Sequence, residues 1–173
     1  MIAAEGLGWP QLVAGLVALQ RLAELAYARR NAGCLRARGG VEHGQEHYPL
    51  LVGLHALWLV ALAALVPADA AIRWPALLGF VALQALRVWT VASLGAYWTT
   101  RVIVVPGAAP VRRGPYRWLR HPNYLIVAGE IALLPLAFGA WAIAVAFTLA
   151  NAAVLAWRIR VEDAALGRNV GLK

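Results

Sequence analysis

Between Trp74 and Leu94 the chain carries one charged side chain, Arg87, in a stretch otherwise dominated by Leu, Val, Ala and aromatic residues. That length matches the roughly 20 apolar residues a helix needs to cross a ~30 Å hydrocarbon core. A backbone in hydrocarbon must satisfy its own hydrogen bonds, so the run predicts a transmembrane helix. Leu7 to Tyr27, Tyr48 to Val66 and Trp141 to Trp157 read the same way. Tyr124 to Phe138 is shorter, about 22 Å at the helical rise, and the Gly139-Ala140 pair after it allows a tight turn into the last run. Pro135 predicts a kink in that short arm. With 62% hydrophobic residues over 173 positions, the whole chain reads as one all-α integral membrane domain. It has five transmembrane helices, the fourth and fifth forming a short hairpin. The last helix is expected to continue past the membrane through Arg158, Glu162 and Asp163 to about residue 166, since nothing breaks helical propensity before Gly167.

The formal net charge of +8 is unevenly distributed. Lys and Arg concentrate in 29–38, 101–120 and the C-terminal tail, whereas the N-terminus, the 67–73 connection and the Gly139 turn together carry only Arg73. This alternation fits five crossings with the N-terminus outside and the C-terminus cytoplasmic, in a bacterial inner membrane. Trp9, Trp74 and Trp141 fall at outer ends, and Trp98, Trp118 and Trp157 near inner ones, as an aromatic belt requires. A basic balance on so apolar a chain is explained by these loops and by anionic lipid headgroups, not by nucleic acid. The N-terminus, with Glu5 and no early Lys or Arg, lacks the basic region of a signal peptide. A single cysteine, Cys34, excludes an internal disulfide framework.

Ionisable residues inside spans are expensive and need partners. Arg21 and Glu24, three apart, share a helical face and read as a local ion pair or as snorkelling side chains. Arg87 reads equally as snorkelling or as part of a polar pocket. His55 reads as an interhelical hydrogen-bonding group. Glu130 reads as a buried acid bonded to Asn151 or Arg87, unless a reaction calls on it. Asn31 to His47 reads as a loop, because of Gly39 and Gly40. Within it Glu42, His43, Glu46 and His47 outline a metal-like cluster, but the flanking glycines weaken the helix that would align them, and a solvated loop without metal is the reading adopted. Val102 to Val105, followed by Pro106 and Gly107, predicts an extended segment.

The densest polar stretch is 112–130, RRGPYRWLRHPNYLIVAGE, at the basic boundary. Pro122 starts a helix whose free backbone donors favour an anion, with Asn123 available as a cap. In the tail, Arg158 and Glu162 share a face and present a cation and an anion together, a pairing suited to a zwitterion.

Gly114-Pro115-Tyr116, then Arg120-His121-Pro122-Asn123-Tyr124, then Arg158-Ile159 and Glu162-Asp163-Ala164-Ala165-Leu166 resemble the isoprenylcysteine carboxyl methyltransferase family of membrane enzymes. The tracts RLAELAYARRN and GGVEHGQEHYP resemble its smaller bacterial branch, some of whose members methylate alkylpyrone- or alkylresorcinol-type lipids. The resemblance implies a methyltransferase using S-adenosylmethionine, held at the cytoplasmic side. His121, Tyr124, Glu162 and Tyr116 would bind it. Arg158 would face the acceptor or the cofactor carboxylate, and Arg120 would brace the motif. The acceptor would be a lipophilic small molecule or prenylated species arriving from the bilayer, methylated on a carboxylate or on an enolic or phenolic oxygen. For the last case Glu130 is the candidate base. The competing readings are a sterol-type membrane reductase and a non-catalytic adaptor or small transporter using Arg21, Glu24, Arg87 and Glu130 as a polar track.

Overall fold

The computed structural model describes residues 7–170, with side chains to residue 167; Glu5 and the last residues of the tail lie outside the described residues. The order is α1 (Trp9–Ala37), β1 (Val41–His43), α2 (Tyr48–Leu65), α3 (Trp74–Leu94), β2 (Val102–Val104), α4 (Pro122–Ala137) and α5 (Trp141–Val170). Short 3-10 turns cover Gln45–His47, Gly95–Tyr97 and Gly114–Arg117. α2, α3 and α5 belong to segments long and apolar enough to cross a membrane, and α4 is apolar but shorter. The protein is therefore a helical membrane protein.

α1 outruns the expected span end at Tyr27 and runs on to Ala37, into the stretch from Asn31 expected as a loop. Asn31, Ala32 and Leu35 form a buried face on this extension, and Asn31 Nδ2 donates to the carbonyls of Gly95 (3.1 Å) and Trp98 (2.9 Å). Tertiary burial thus keeps the segment helical although Gly33 interrupts it. Gly39 and Gly40 act as its terminator. Gly39 takes φ +80°, its N–H donates to Arg36 O, and that of Gly40 donates to Leu35 O, both at 2.9 Å. This is the paired hydrogen-bond pattern of a glycine-terminated helix.

α4 ends in the same way at Gly139, φ +72°, with Ala140 N–H donating to Pro135 O and Gly139 N–H to Leu136 O. The expected hairpin turn is therefore present, and Pro135 sits buried in the last turn of α4. α5 passes Gly167 and continues to Val170.

The apolar core lies toward the Trp74–Trp141 end, where Ala14, Val17, Trp58, Leu62, Phe80, Ile131 and Leu134 pack together. α4 packs between α3 and α5, while α2 contacts α1 and α5. There Arg73 N–H donates to Ala137 O at 2.8 Å, and the Arg73 guanidinium lies over the Trp141 ring. Trp9, Trp74 and Trp141 are exposed, as are Trp118 and Trp157 at the other end. Trp98 departs from the belt: it is buried, because Asn31 anchors its carbonyl against α1.

At the arginine-rich end β1 and β2 pair antiparallel, Val41 opposite Val104 and His43 opposite Val102. Glu42 fastens this small sheet, bonding Arg36 at the end of α1 and Arg101 before β2. Partial burial acts to raise the Glu42 pKa, but the hydrogen bonds and charges of the two arginines outweigh it and hold the carboxyl below its ordinary value. Glu42 is thus committed to arginines and His47 is buried at the start of α2. Among the described residues no group of three or more His, Cys, Asp and Glu converges for a metal.

Candidate active site: two cavities sharing one wall

Two elements bring the sequence motifs together. Pro122 occupies the first turn of α4, where its missing N–H costs nothing. The turn therefore begins at the expected point and presents Tyr124 toward α5. Helical spacing on α5 then sets Arg158 and Glu162 on one face. Arg158 Nε donates to the Tyr124 hydroxyl at 2.7 Å, and the same hydroxyl donates to Glu162 Oε2. His121 stacks on Tyr124 with ring centroids 5.2 Å apart. Its Nε2 lies 3.2 Å from Asp163 Oδ1 and its Nδ1 3.8 Å from Glu162 Oε1. Arg120, largely exposed, reaches Asp163 at 3.3 Å and braces the two helices from outside.

A cavity of about 230 Å³ opens beside this cluster. Val102 to Val105 form one side, and Tyr116, His121, Asn123, Tyr124, Arg158 and Glu162 the other. Tyr116 arrives on the 3-10 turn that Gly114 permits at φ +56°. Arg113 secures that turn by donating from Nε to Ser93 O at 2.6 Å. Burial, then the negative charge of Glu162, pushes the Tyr116 pKa above its ordinary value, with Arg87 opposing. The phenol consequently stays neutral.

A second cavity of about 420 Å³ runs between α1 and α2, lined mainly by Leu, Val and Ala side chains. Leu22, Val52 and Val60 line it and are exposed on the outer surface, so it opens sideways between the helices. Trp98, Thr99, Asn123, Tyr124 and Arg158 belong to both cavities and form their common wall.

Two atoms in that wall are buried without a hydrogen-bond partner among the described residues, Asn123 Oδ1 and Trp98 Nε1. Asn123 thus caps nothing. The helix N-cap position falls to His121, which makes no side-chain cap. Arg158, only 7% exposed, spends its Nε on Tyr124. Among the described residues its terminal nitrogens have no hydrogen-bond partner and are available to a ligand beside the Glu162 carboxylate. An open guanidinium next to a carboxylate suits the amino-acid end of S-adenosylmethionine, and the apolar β2 side chains suit its uncharged portion, so the residues present fit that cofactor.

Glu130 lies elsewhere. Its Oε2 accepts from Arg21 Nη2 (2.9 Å) and Arg87 Nη1 (3.1 Å), and its Oε1 from Gln84 Nε2 (2.7 Å). Glu24 completes a closed quartet by accepting from Arg21 Nη1 and from Arg87 Nε and Nη2. The anticipated Arg21–Glu24 pair is real but is half of a larger assembly, and Arg87 is its centre and not a snorkelling side chain. Asn151 is buried but does not bond Glu130. Glu130 is 2% exposed and lines neither cavity, so the structure does not bring it to the wall where Tyr124 and Arg158 meet.

Sequence reasoning gave His55 only a structural part, yet it lines the larger cavity. A histidine in the middle of an apolar span, with no second polar residue at helical spacing, carried no signal of a cavity. Thr99 and Trp98 were passed over for a similar reason: their positions follow from the loop after α3, which no periodicity describes.

Apolar helices bearing a smaller cavity at their charged end and a more apolar, lateral one beside it, the two sharing one wall, define a helical membrane protein with a two-chambered site. The chain belongs to the isoprenylcysteine carboxyl methyltransferase family, whose model matches residues 76–168. It is 39% identical over 159 residues to the uncharacterized protein YpbQ of Bacillus subtilis (strain 168), covering 90% of this chain and 95% of that one. No solved structure matches. The matched region contains all of α4 and most of α3 and α5, and with them every residue of the Tyr124, Arg158 and Glu162 cluster.

Proposed function

We propose that the protein is an S-adenosylmethionine-dependent O-methyltransferase acting on a lipophilic acceptor that enters from the bilayer. The observation that carries this reading is the wall of Tyr124, Arg158 and Asn123, which faces the smaller and more polar cavity on one side and a laterally open apolar cavity on the other. The cofactor supplies an activated methyl group when bound. The protein's own work is to hold, align and exclude water. Arg158 takes a carboxylate through its free terminal nitrogens, Glu162 faces the ammonium end, and Tyr124 fixes both by hydrogen bonding to each. His121 keeps the Tyr124 ring in plane by stacking. Tyr116, neutral, closes the cavity without adding charge.

Orientation follows from the same features. Arginines cluster at the end bearing the smaller cavity, which supports a cytoplasmic site. α1 exposes Leu12, Leu16, Leu19 and Leu22 along one stripe while turning Arg21 and Glu24 inward. That is the reverse of a water-soluble amphipathic helix. With α4 covered on two sides by α3 and α5, this supports five crossings, with the N-terminus outside.

The test is direct. Purified protein in lipid nanodiscs should bind S-adenosylhomocysteine, and membranes given methyl-labelled cofactor should yield a labelled, organic-extractable lipid. Helical protein that binds no S-adenosylhomocysteine would refute the reading. Nicotinamide binding or coupled ion flux in its place would point to a reductase or a transporter.

A further inference from the structure

A methyl group passing from one cavity to the other must cross their common wall of Trp98, Thr99, Asn123, Tyr124 and Arg158. The transfer moves an electron pair from an ionised acceptor oxygen into a new O–C bond, while the breaking C–S bond leaves its pair on sulfur. The donor therefore brings a positive sulfonium to this wall, and the product leaves a neutral thioether there. A sulfonium has no N–H or O–H to donate. What it offers are the polarised C–H groups around sulfur, which call for an oxygen acceptor or an open aromatic face.

The charges at hand do not receive it. Arg158 is a buried cation in the same wall and repels a second one. Glu24 lines only the larger cavity and is paired with Arg21 and Arg87, Glu130 lines neither cavity, and Glu162 lines only the smaller one. Within the wall, Thr99 Oγ1 is turned to the backbone of Arg101, accepting from its N–H at 2.9 Å and donating to its carbonyl at 3.3 Å. The Tyr124 hydroxyl is shared between Arg158 and Glu162, and its ring has His121 stacked at 5.2 Å and the Arg158 guanidinium over it at 5.6 Å. Trp98 Nε1 and Arg158 can only donate. The side-chain acceptor left over is Asn123 Oδ1, in the first turn of α4, buried and without a hydrogen-bond partner among the described residues. A buried acceptor left unpaired is costly and calls for a reason.

Resting on the methyl-transfer reading, we infer that Asn123 Oδ1 receives the sulfonium methyl group, so that the site prefers the charged donor to its neutral product. An amide oxygen suits this place better than a carboxylate. It turns the negative end of a dipole to the methyl group without repelling the anionic oxygen that arrives from the larger cavity. Once the methyl group has moved, the sulfur is uncharged and the contact is lost, which loosens the product.

Binding tests this without turnover. Protein in nanodiscs of synthetic phosphatidylcholine, which supply no acceptor, is titrated calorimetrically with S-adenosylmethionine and, separately, with S-adenosylhomocysteine. Asn123→Leu, which keeps the size of the side chain and removes its oxygen, should weaken S-adenosylmethionine about fivefold and leave S-adenosylhomocysteine within about twofold. Asn123→Ala repeats the measurement without branched bulk, with circular dichroism as the control on helicity. Asn123→Asp, which keeps an oxygen at the same place, should hold or raise the preference for S-adenosylmethionine. Equal losses of the two ligands, an unchanged affinity for S-adenosylmethionine, or an Asp variant whose preference drops to that of the Leu variant would each overturn the Asn123 contact and leave the methyl-transfer reading standing. A parent protein that binds neither ligand overturns both.

Discussion

Arg158 on α5 and Tyr124 in the first turn of α4 are joined by a 2.7 Å hydrogen bond from Nε to the phenol oxygen, at the wall common to both cavities. The bond holds the guanidinium against Tyr124 at the wall of the smaller cavity. A phenol is needed for this because it accepts from Arg158 and donates to Glu162 at once.

Tyr124→Phe therefore releases both partners while keeping the ring that stacks on His121. We expect S-adenosylhomocysteine affinity to fall about tenfold, on the order of 1–2 kcal/mol for a charge-assisted hydrogen bond, with helicity unchanged. Isothermal titration calorimetry on nanodisc-embedded protein measures it. An affinity within twofold of the parent would show that Arg158 holds its position without the phenol.

The Arg21, Glu24, Arg87, Glu130 quartet makes a non-additive prediction. Glu130→Ala leaves Arg87 short of an anion in a buried site and should cost about 3–5 kcal/mol. Arg87→Leu combined with Glu130→Leu removes one charge of each sign, leaving the Arg21–Glu24 pair intact. The double variant should lose less stability than Glu130→Ala. Thermal unfolding of detergent-solubilised protein, followed by circular dichroism, gives the comparison.

Gly114 stands where no other residue fits. Its φ is +56°, and a Cβ there would lie 1.9 Å from Ser93 Oγ. Gly114→Ala should cost about 1–3 kcal/mol in backbone strain and shift the turn that carries Tyr116. Adding Ser93→Gly should relieve only the steric part, so that the double variant recovers partially. Unfolding midpoints for the single and double variants separate the two contributions.

Acid should act on the clasp between β1 and β2. Because the folded pKa of Glu42 is depressed, its stabilisation is complete above the unfolded value of 4.5 and is lost as pH falls through the folded one. Stability measured from pH 7 down to pH 3 should therefore decline less steeply in Glu42→Gln than in the parent. At neutral pH the same substitution should cost about 1 kcal/mol, in keeping with half-exposed ion pairs.

The helices were legible because hydrocarbon leaves the backbone few choices. α3 begins and ends where its apolar run does, α2 stops one residue short of its expected end, and α4 starts two residues early and stops one early. α1 was misread past Tyr27 because its extension is held by Asn31 reaching Gly95 and Trp98, a contact between segments far apart in sequence. The motif pair at His121–Tyr124 and Arg158–Glu162 was legible from helical spacing and from resemblance. Glu130 was read both as a possible base and as a buried acid bonded to Asn151 or Arg87, and of these the bond to Arg87 is present. Its other two donors, Arg21 of α1 and Gln84 of α3, were not foreseen, because packing between helices is not written in one helix's sequence.

The strand pairing carries a consequence for the order of assembly. β1 is made before α2 and β2 only after α3, so Val41 cannot meet Val104 until two helices have been threaded and turned back. Closing so long an excursion is entropically costly and slow relative to local helix formation. The β2 side of the smaller cavity can therefore pair with β1 only once the first three helices are in place. α4 and α5, which follow β2 in the chain, supply the motif side chains that face this strand pair.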